Sequence, residues 1–410
     1  MSASDLRAWR VADPATWNAF VEAAPYHAFP QLWEWGEVRA LGGWRPVRLA
    51  IGPSQDEPVA GAQLLLRRMP VLGWHLAYVP RGPIGDLDEP GVRDALVAGL
   101  RALGRAEKIA TVRADPEARL ETAYGRGLLE QPWRAAPKVQ PPTTRVIDLS
   151  TGEEALKASL KRKHRQYVNK AARAGVTIER FDGTTPAGAI GPALADFNRI
   201  YRFTAERAGF VARQPYYYER VWSIFAPTGR VRLSFAVADG ERVATIFHFT
   251  CGERAVEAYG GMTDSGADAR ANYLLKWTAI ADFAREGFAV YDMWGLATGG
   301  IRQFKEGFGG EEIEYVGARD LALNSPMDAA LRVAIPAYGL AQRARLKLLR
   351  RDDGEEAPAQ LSSHARTGGE TQATGPIPTV SMHGMHEVVS NRLIARQLVH
   401  PVQGSSDEPA

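Results

Sequence analysis

The apolar positions of the chain repeat one pattern of elements in its two halves. In the first half, Arg45 to Ile51 and Val59 to Leu66 predict two strands around a turn rich in glycine, proline and aspartate. Trp74 to Val79 predicts a third strand, and a helical pattern near Val92 to Arg105 leads into a fourth strand at Ile109 to Arg113. The predicted order is therefore hairpin, third strand, helix, and a strand parallel to the third.

The second half repeats this order. Val231 to Ala238 and Val243 to Thr250 predict a hairpin, and Ala255 to Tyr259 predicts its third strand. A helix near Asn272 to Glu286 and a strand at Phe288 to Met293 complete the unit. Because single cores rarely grow beyond about 250 residues, two copies of one α+β unit fit the chain better than one large sheet.

The repeat divides the chain near Ser150 into a first unit, residues 1–150, and a second unit, residues 151–325. Residues 326–351 predict a basic amphipathic helix, which could lie on an anionic bilayer or pack against the second unit. From residue 352 to residue 410, acidic residues followed by serine, threonine, glycine and proline show no apolar period, which predicts a disordered acidic tail.

Charge and cysteine content narrow the class of protein. The last 59 residues hold eight of the 47 acidic side chains and three of the 50 basic ones, which leaves residues 1–351 with a net charge of +8. Such a body fits a polyanionic partner. A single cysteine, Cys251, excludes an internal disulfide and a cysteine-based metal cluster, and it is typical of a reducing compartment. With neither a signal peptide nor an apolar span in the sequence, we expect a cytoplasmic protein without a metal, with peripheral contact at the inner face of the membrane left open.

A glycine-rich turn beside the last predicted strand carries a single lysine. The strand ends near Gly295, and Phe304-Lys305 is followed by Gly307, Gly309 and Gly310. Glycines there allow positive φ and close approach of the backbone. A lysine beside a strand end can stabilise a developing negative charge or bind a phosphate, although a solvated surface lysine is the alternative.

The densest positive segment runs from Lys157 to Arg173 and contains no acid. Its candidate phosphate-binding patch is Lys161, Arg162, Lys163, Arg165 and Lys170. A solvated helix surface is the default interpretation of such a run. Contact with a tRNA backbone or a lipid pyrophosphate is the functional one, and it predicts a steep dependence of binding on salt.

Each predicted unit resembles the second half of the GNAT (acyl-CoA N-acyltransferase-like) fold, in which the third and fourth strands part to receive an acyl group. A series of short motifs between residues 15 and 320 further resembles the Fem family of non-ribosomal peptidyltransferases. The motifs are Gln31-Leu32-Trp33-Glu34-Trp35, Tyr78-Val79-Pro80-Arg81-Gly82-Pro83, Val112-Arg113-Ala114-Asp115-Pro116, Gly209 to Tyr217, Tyr259-Gly260-Gly261, Tyr291-Asp292-x-x-Gly295 and Phe304-Lys305-x-Gly307-Phe308-Gly309-Gly310.

The resemblance implies both fold and reaction. The expected fold is α+β, with two tandem GNAT-like domains and a disordered C-terminal tail. The expected activity is transfer of an amino acid from aminoacyl-tRNA to the side-chain amine of the peptidoglycan stem peptide, without a cofactor and without DNA. The implied acceptor is a muramyl peptide linked to UDP or to a lipid. No long helical hairpin is inserted between Arg180 and Arg319, so the tRNA-binding arm proposed for some family members is not expected.

Three residues match the family's reaction centre. Lys305 resembles the lysine near the acyl-transfer centre, and Phe304 stands beside it. Asp115 resembles an aspartate that faces the substrate cleft. A carboxylate there suits removal of a proton from the attacking amine, although an aspartate before a proline is equally a cap or a turn former.

Four residues match positions that bind the acceptor. Arg213 and Tyr217 resemble the pair that grips the phosphates of the muramyl peptide, a task that suits the forked donors of a guanidinium. Tyr259 falls where the family has a substrate-contacting tyrosine. Arg39 stands where some members have a phosphate-binding lysine, which keeps the charge but alters the geometry of the hydrogen bonds.

Two other functional classes compete with this hypothesis. An acyl-CoA-dependent N-acyltransferase would need a helix start that binds pyrophosphate through its backbone amides. The segment Thr263 to Asp268 offers two aspartates instead, and Pro80 to Pro83 lacks amides at its prolines. The third class is a non-catalytic protein that binds anionic glycopeptide or RNA, and loss of Lys305 would discriminate it from an enzyme.

Overall fold

The computed structural model describes residues 3–69, 73–296 and 300–333. The predicted acidic tail and most of the predicted basic helix lie outside these residues. The strands are β1 Arg7–Arg10, β2 Arg45–Gly52, β3 Ala60–Arg68, β4 His75–Pro80, β5 Ile84–Gly85, β6 Ile109–Asp115, β7 Trp133–Ala135, β8 Thr143–Asp148, β9 Thr177–Phe181, β10 Val231–Ala238, β11 Glu241–Cys251, β12 Arg254–Met262, β13 Val290–Asp292, β14 Glu311–Glu314 and β15 Arg319–Ala322.

The helices surround two separate sheets. The α-helices are α1 Pro14–Ala23, α2 Trp33–Ala40, α3 Pro90–Glu107, α4 Ala123–Gly127, α5 Glu153–Ser159, α6 Arg162–Arg173, α7 Ala187–Ala208, α8 Pro215–Phe225, α9 Asp264–Asp268, α10 Ala271–Arg285 and α11 Gly300–Glu306. The basic segment Lys157 to Arg173 is therefore two helices, because the chain turns at Leu160 and Lys161.

The first sheet has the strand order β1-β2-β3-β4-β6-β15-β7, with β5 beside β3. All of its pairs are antiparallel except β4 with β6. Helix α3 connects these two parallel strands and buries Val92, Leu96, Leu100 and Leu103, spaced four, four and three residues apart on one face. The predicted order of hairpin, strand, helix and parallel strand is confirmed for this half.

The second sheet has the order β14-β8-β13-β12-β11-β10-β9, and its only parallel pair among the described strands is β12 with β13. Helix α10 makes the connection. The hairpin β10–β11, the strand β12, the helix and the strand β13 repeat the first unit, so the predicted duplication is confirmed.

The two units exchange strands at their junction. β8 pairs with β13 and β14 in the second sheet. The second sheet therefore begins near residue 143, whereas the sequence suggested a boundary at residue 151. β15 returns to the first sheet, where it lies between β6 and β7. Strands of four to six residues carry too little apolar periodicity for the sequence to assign them to a sheet.

The two parallel pairs differ in one respect that bears on function. β4 and β6 stay paired as far as Pro80 and Asp115. β12 and β13 pair only as far as Val256 and Asp292, after which β12 runs on to Met262 without this neighbour. The register of β12 on β11 also shifts at Ala258, which is a β-bulge that bends the strand. The opening between parallel strands is therefore in the second unit.

A shared aromatic core fixes the two units against each other. Trp17, Phe29 and Trp35 from the first unit lie in one buried cluster with Phe247 and Phe249 of β11. The rings of Phe29 and Phe249 are stacked, with centroids 4.4 Å apart and an interplanar angle of 3°. The two units therefore share one continuous core.

The start of the predicted basic helix packs on the first sheet. Residues 325–333 are helical. Asp328 accepts a hydrogen bond of 2.7 Å from the Thr111 hydroxyl of β6 and pairs with Arg134 of β7, and Leu331 is buried. In the described ranges, no helix combines the length and the apolar character that a membrane span requires.

Candidate active site

Lys305 lies at the opening between β12 and β13, where its ammonium group is saturated by backbone oxygens. Its Nζ donates hydrogen bonds to the carbonyls of Met293, Trp294 and Gly295, at 2.6, 2.8 and 2.6 Å. An ammonium has three donors, so all of them are used. The turn that they hold has positive φ at Trp294 and Gly295. Lys305 therefore shapes the wall of the gap by drawing three consecutive carbonyls together.

Burial and, to a smaller extent, the nearby Lys276 ammonium lower the pKa of Lys305 to about 8, although Glu257 and Asp292 oppose this shift. The ammonium form makes the three carbonyl bonds, whereas a neutral amine would lose donors. We therefore expect the geometry of this turn to depend on pH in the range just above neutrality.

Trp294 connects this turn to the first unit. Its ring lies under the Arg81 guanidinium, 4.7 Å from the ring centroid, and against Phe29, with centroids 5.2 Å apart. Its backbone N–H donates to Asp292 at 2.7 Å. The Arg81 side chain is only 2% exposed and donates to the carbonyl of Pro141 at 2.8 Å. Arg81 stands in one of the sequence motifs and Trp294 at an unspecified position of another, but neither was predicted as a site residue.

Asp115 ends β6 on the other side of Arg81. One of its carboxylate oxygens accepts the backbone N–H of Arg81 at 2.9 Å, and the other accepts the hydroxyl of Tyr78, also at 2.9 Å. Burial raises the pKa of Asp115 to about 6, although the charge of Arg81 and these hydrogen bonds oppose the rise. A carboxyl group with this pKa is ionised near neutral pH and can still accept a proton, which suits a general base.

Four predicted acceptor-binding residues lie together at the junction of the units. Arg39 of α2 is within electrostatic range of Arg213, Tyr217 and Tyr259, and also of Tyr78. The Arg213 guanidinium lies 4.7 Å from the centroid of the Tyr217 ring. No carboxylate among the described residues pairs with either arginine, and the hydroxyl groups around them are potential donors. Two guanidinium groups without acidic partners have the chemistry of a candidate anion site, which we call the anion site.

The arginine pair predicts a specific kinetic effect. Arg213→Ala should raise the KM for a phosphate-bearing acceptor about tenfold to a hundredfold while kcat changes less, because a charged hydrogen bond that forms before the reaction is lost. Arg39→Ala should act in the same direction. Arg220→Ala, an exposed arginine of α8, is the matched control. Steady-state kinetics with varied acceptor would contradict the assignment if KM stayed unchanged in both variants.

A buried polar network under the gap was missed by the sequence analysis. Glu257, which follows the last paired residue of β12, accepts Lys276 at 2.9 Å and the hydroxyl of Tyr291 at 2.7 Å. His248 contacts the same hydroxyl at 2.9 Å. Burial favours the neutral form of Glu257, but Lys276 and Lys305 outweigh it, so its pKa is lowered. A lone lysine within the apolar helix α10 was the signal available in the sequence.

Strand β11 also buries a histidine and the single cysteine of the sequence. His248 is completely buried, and burial lowers its pKa to about 3, so it stays neutral over the physiological range. Cys251 is also fully buried, and burial raises the pKa of its thiol. A thiol that does not ionise is a poor nucleophile.

Phe304 belongs to an aromatic cluster beside the gap. Its ring contacts Phe308 and Tyr273, with centroids 5.2 and 5.0 Å away, and the Lys276 ammonium lies 4.9 Å from its centroid. The neighbouring glycine is sterically required, because a Cβ at Gly307 would lie 1.8 Å from the His164 ring. The glycine motif therefore allows α6, which carries His164, to approach the loop of Lys305.

The basic residues of α6 begin directly at this loop. The backbone N–H of Lys161 donates to the Gly307 carbonyl at 2.9 Å, and its ammonium lies 3.6 Å from Glu306. Arg165 instead donates to the carbonyls of Ala158 and Leu160 and so caps α5. Arg162, Lys163 and Lys170 are exposed. Of the predicted phosphate patch, these three and Lys161 face solvent, while Arg165 has a structural role.

One buried arginine joins the two units beneath the site. Arg254 of β12 forms ion pairs with Glu117, which follows β6, and with Asp292 of β13. Glu117 also lies 3.5 Å from Arg81. Across the described part of the chain, no group of three or more histidine, cysteine, aspartate or glutamate side chains has the arrangement of a metal site.

Two family descriptions match the chain. Residues 13–130 match the FemAB family, and residues 158–306 match the family described as acetyltransferase (GNAT) domain. The first range contains Arg39 and Asp115, and the second contains Arg213, Tyr259 and Lys305. The candidate site residues thus come from both matched ranges.

Similar curated proteins include two from staphylococci. The lipid II:glycine glycyltransferase of Staphylococcus saprophyticus subsp. saprophyticus is 28% identical over 226 residues, which cover 53% of this chain and 52% of that protein. The protein of the same name from Staphylococcus aureus is 28% identical over 233 residues, covering 54% and 53%. The chain therefore spans about half the length of the curated relatives it matches.

Solved structures share the fold. The crystal structure of FemX superposes with a TM-score of 0.72 at 20% identity, over 79% of this chain and 99% of that one. A conserved protein of unknown function from Bacteroides thetaiotaomicron superposes with a TM-score of 0.54 at 10% identity, over 79% and 98%. The predicted α+β fold with tandem GNAT-like domains is confirmed.

Proposed function

We propose that this chain is a Fem-family acyltransferase and that it adds an amino acid from aminoacyl-tRNA to the side-chain amine of a peptidoglycan stem peptide. The acceptor would be a muramyl peptide that carries phosphate, and the reaction would form part of an interpeptide bridge in cell wall biogenesis. The names of the staphylococcal relatives favour a lipid-linked acceptor over a UDP-linked one.

The observation that carries this proposal is one continuous path of contacts between an acyl gap and an anion site. Lys305 holds the turn of Trp294, and Trp294 lies under Arg81. The backbone N–H of Arg81 donates to Asp115, and Asp115 also accepts a hydrogen bond from the hydroxyl of Tyr78. Tyr78 in turn lies within electrostatic range of Arg39. An acceptor whose phosphate binds at the arginines could therefore extend its peptide along the groove to the gap between β12 and β13.

The residues suit aminolysis of an ester. Asp115 would take a proton from the attacking ammonium, and the amine would form a C–N bond with the ester carbonyl. The oxyanion would face backbone N–H groups of β12 left without β13 beyond Val256. The C–O bond to the ribose would then break as the new amide nitrogen loses its surplus proton, so that of the two protons released one passes to the departing ribose oxygen and the other to water. No protein nucleophile is needed, because the donor is already activated.

Lys305 would act in this scheme through the turn that it organises and through its positive charge beside the oxyanion. All three of its donors are occupied by carbonyls, so a direct hydrogen bond to the oxyanion would require one of these to be exchanged. Holding the gap open in a fixed shape is the contribution that its contacts support.

The tRNA would approach along α6, because its exposed cations begin at the loop that carries Lys305. Lys163→Glu with Lys170→Glu, seven residues apart on one helix face, should raise the KM for aminoacyl-tRNA about tenfold or more and reduce the salt dependence of binding. Arg101→Glu with Arg105→Glu on α3 changes the charge equally at exposed positions and is the control. Equal KM values in both double variants would assign tRNA binding elsewhere.

One assay tests the proposed function. Purified protein is incubated with a mixture of charged tRNAs and stem peptide linked to either UDP or a lipid, and the mass of the product is measured. We expect the acceptor mass to rise by one or more amino acid residues, and ribonuclease to abolish the change. If product forms from acyl-CoA and is insensitive to ribonuclease, the donor is acyl-CoA and not aminoacyl-tRNA. Tight binding without any product would favour a non-catalytic role.

A further inference from the structure

Three of the large apolar side chains that face solvent stand beside the two arginines of the anion site. Leu41 is 52% exposed and follows Arg39 by two positions, and Val211, 72% exposed, precedes Arg213 by two. Tyr216, 55% exposed, begins the same helix as Tyr217. The other described side chains of this kind are Leu120, Leu129 and Val333, which lie in the first unit and in the C-terminal helix. Exposed apolar side chains of this size mark contact sites when they gather around a functional group.

Packing brings these three positions to one edge of the molecule. Helix α2, which ends just before Leu41, packs against α8, which carries Tyr216 and Tyr217. Arg213 precedes α8 by two residues and lies near Arg39. We call Leu41, Val211 and Tyr216, together with Arg39 and Arg213, the arginine–apolar edge.

A further arginine extends this edge along the first sheet. Arg67, near the end of β3, donates to the Gly42 carbonyl at 2.6 Å, directly after Leu41. Its guanidinium and that of Arg39 both lie over the ring of Trp44, at 5.7 and 5.8 Å from the centroid. Arg68 beside it is exposed. Basic side chains therefore continue from the end of α2 to the end of β3.

This combination matches the chemistry of a bilayer interface. Leucine and valine gain free energy when they leave water, and tyrosine is favoured at the level of the lipid headgroups. Arginines beside them can hold their guanidinium groups among phosphates while their stems stay in the apolar layer. Each basic residue near an anionic membrane contributes about 1 kcal/mol of attraction. A folded protein partner would instead be expected to offer carboxylates to the arginines.

We propose that the arginine–apolar edge docks on an anionic lipid surface, so that the phosphate of a lipid-linked acceptor enters between Arg39 and Arg213 from the plane of the membrane. This inference rests on the proposed function, because it assigns the acceptor of the same site to the lipid-linked class. It also gives the three exposed apolar side chains a role that a soluble nucleotide acceptor would not require.

The test is co-sedimentation of the full chain with lipid vesicles. The wild type should bind vesicles rich in phosphatidylglycerol and bind phosphatidylcholine vesicles poorly. The triple variant Leu41→Ser, Val211→Ser and Tyr216→Ser should lose about tenfold or more in vesicle affinity. The matched variant Leu120→Ser with Leu129→Ser, 47% and 48% exposed in the parent chain, should bind as the wild type does. Thermal melts establish that both variants are folded.

Activity distinguishes this inference from the proposed function. The triple variant should retain the wild-type rate with a UDP-linked acceptor and lose about tenfold with a lipid-linked acceptor in vesicles. Equal binding of the triple variant and the wild type to anionic vesicles would overturn the docking edge, and so would loss of binding in the control variant alone. If neither acceptor is modified by any variant, the proposed function fails, whereas the vesicle measurement still decides whether the edge binds lipid.

Discussion

Lys305→Met should lower the rate of transfer by about a hundredfold to a thousandfold while the fold persists. Methionine has nearly the length of the lysine stem but cannot donate to the carbonyls of Met293, Trp294 and Gly295. Without the ammonium, three carbonyl dipoles that now converge would repel one another, and the turn that carries Trp294 would relax. Single-turnover rates with saturating substrates measure the effect directly.

The control for this variant is Lys157→Met on α5, an exposed lysine, which should keep the wild-type rate. Thermal melting should show that the Lys305 variant unfolds cooperatively, so that loss of rate is not loss of fold. The wild-type rate should also fall as pH rises through about 8, because the pKa of Lys305 lies there. Turnover of the Lys305 variant at the wild-type level would remove this lysine from the reaction.

Asp115→Asn should lower kcat by about a hundredfold to ten-thousandfold, the range typical of a lost general base. The asparagine keeps an oxygen that can accept the Arg81 N–H, so the turn after β4 should survive. Asp115 could have been only a turn former, as its place before Pro116 also suggests. In that case the substitution would leave kcat within a few fold of the wild type, and rate measurements across pH would separate the two roles.

The Asp115→Asn variant should be at least as stable as the wild type although it is less active. The pKa of Asp115 is raised to about 6 from an unfolded value near 3.9. Between these values the folded state binds more protons than the unfolded state, so stability falls as pH rises from about 4 to about 6 and the ionised carboxylate remains unfavourable above that range. Asp115→Asn removes this dependence, and its melting temperature near neutral pH should equal or exceed that of the wild type.

Tyr78→Phe offers a second check on the same carboxylate. It removes the hydroxyl that donates to Asp115 at 2.9 Å and therefore removes a contact that favours the ionised form. The acid limb of the pH–rate profile, expected near pH 6 in the wild type, should move to higher pH. Tyr26→Phe, which removes a hydroxyl bonded to Asp88 instead, should leave that limb in place.

The repeated unit was predictable because its strands and connecting helices are long and periodic. The hairpin β10–β11 and helix α3, for example, agree with the sequence within two residues. The separation of β12 from β13 was not predictable from the sequence. It depends on a bulge at Ala258 and on the turn after β13, which is held by the side chain of Lys305, twelve positions after Met293. Periodicity describes which face of a strand is buried, and it contains no information on where a neighbour leaves.

The candidate site was likewise only partly predictable from the sequence. Arg39 and Arg213 are 174 positions apart, so only the family resemblance suggested that they act together, and their proximity follows from the packing of α2 on α8. The pair Lys276 and Glu257 joins a helix to a strand across a buried space. Neither residue stands in a recognisable motif, and their relation depends on tertiary structure that local sequence does not encode.

The return of β15 has a consequence for biogenesis. During translation, residues 109–135 would leave the ribosome with β6 and β7 exposing edges that only residues 319–322 can cover. Some two hundred further codons must therefore be translated before β15 can complete the first sheet. Until then the first unit exposes unpaired strand edges that favour misassembly. Premature termination before codon 319 would remove β15 and would be expected to yield insoluble polypeptide instead of an active fragment.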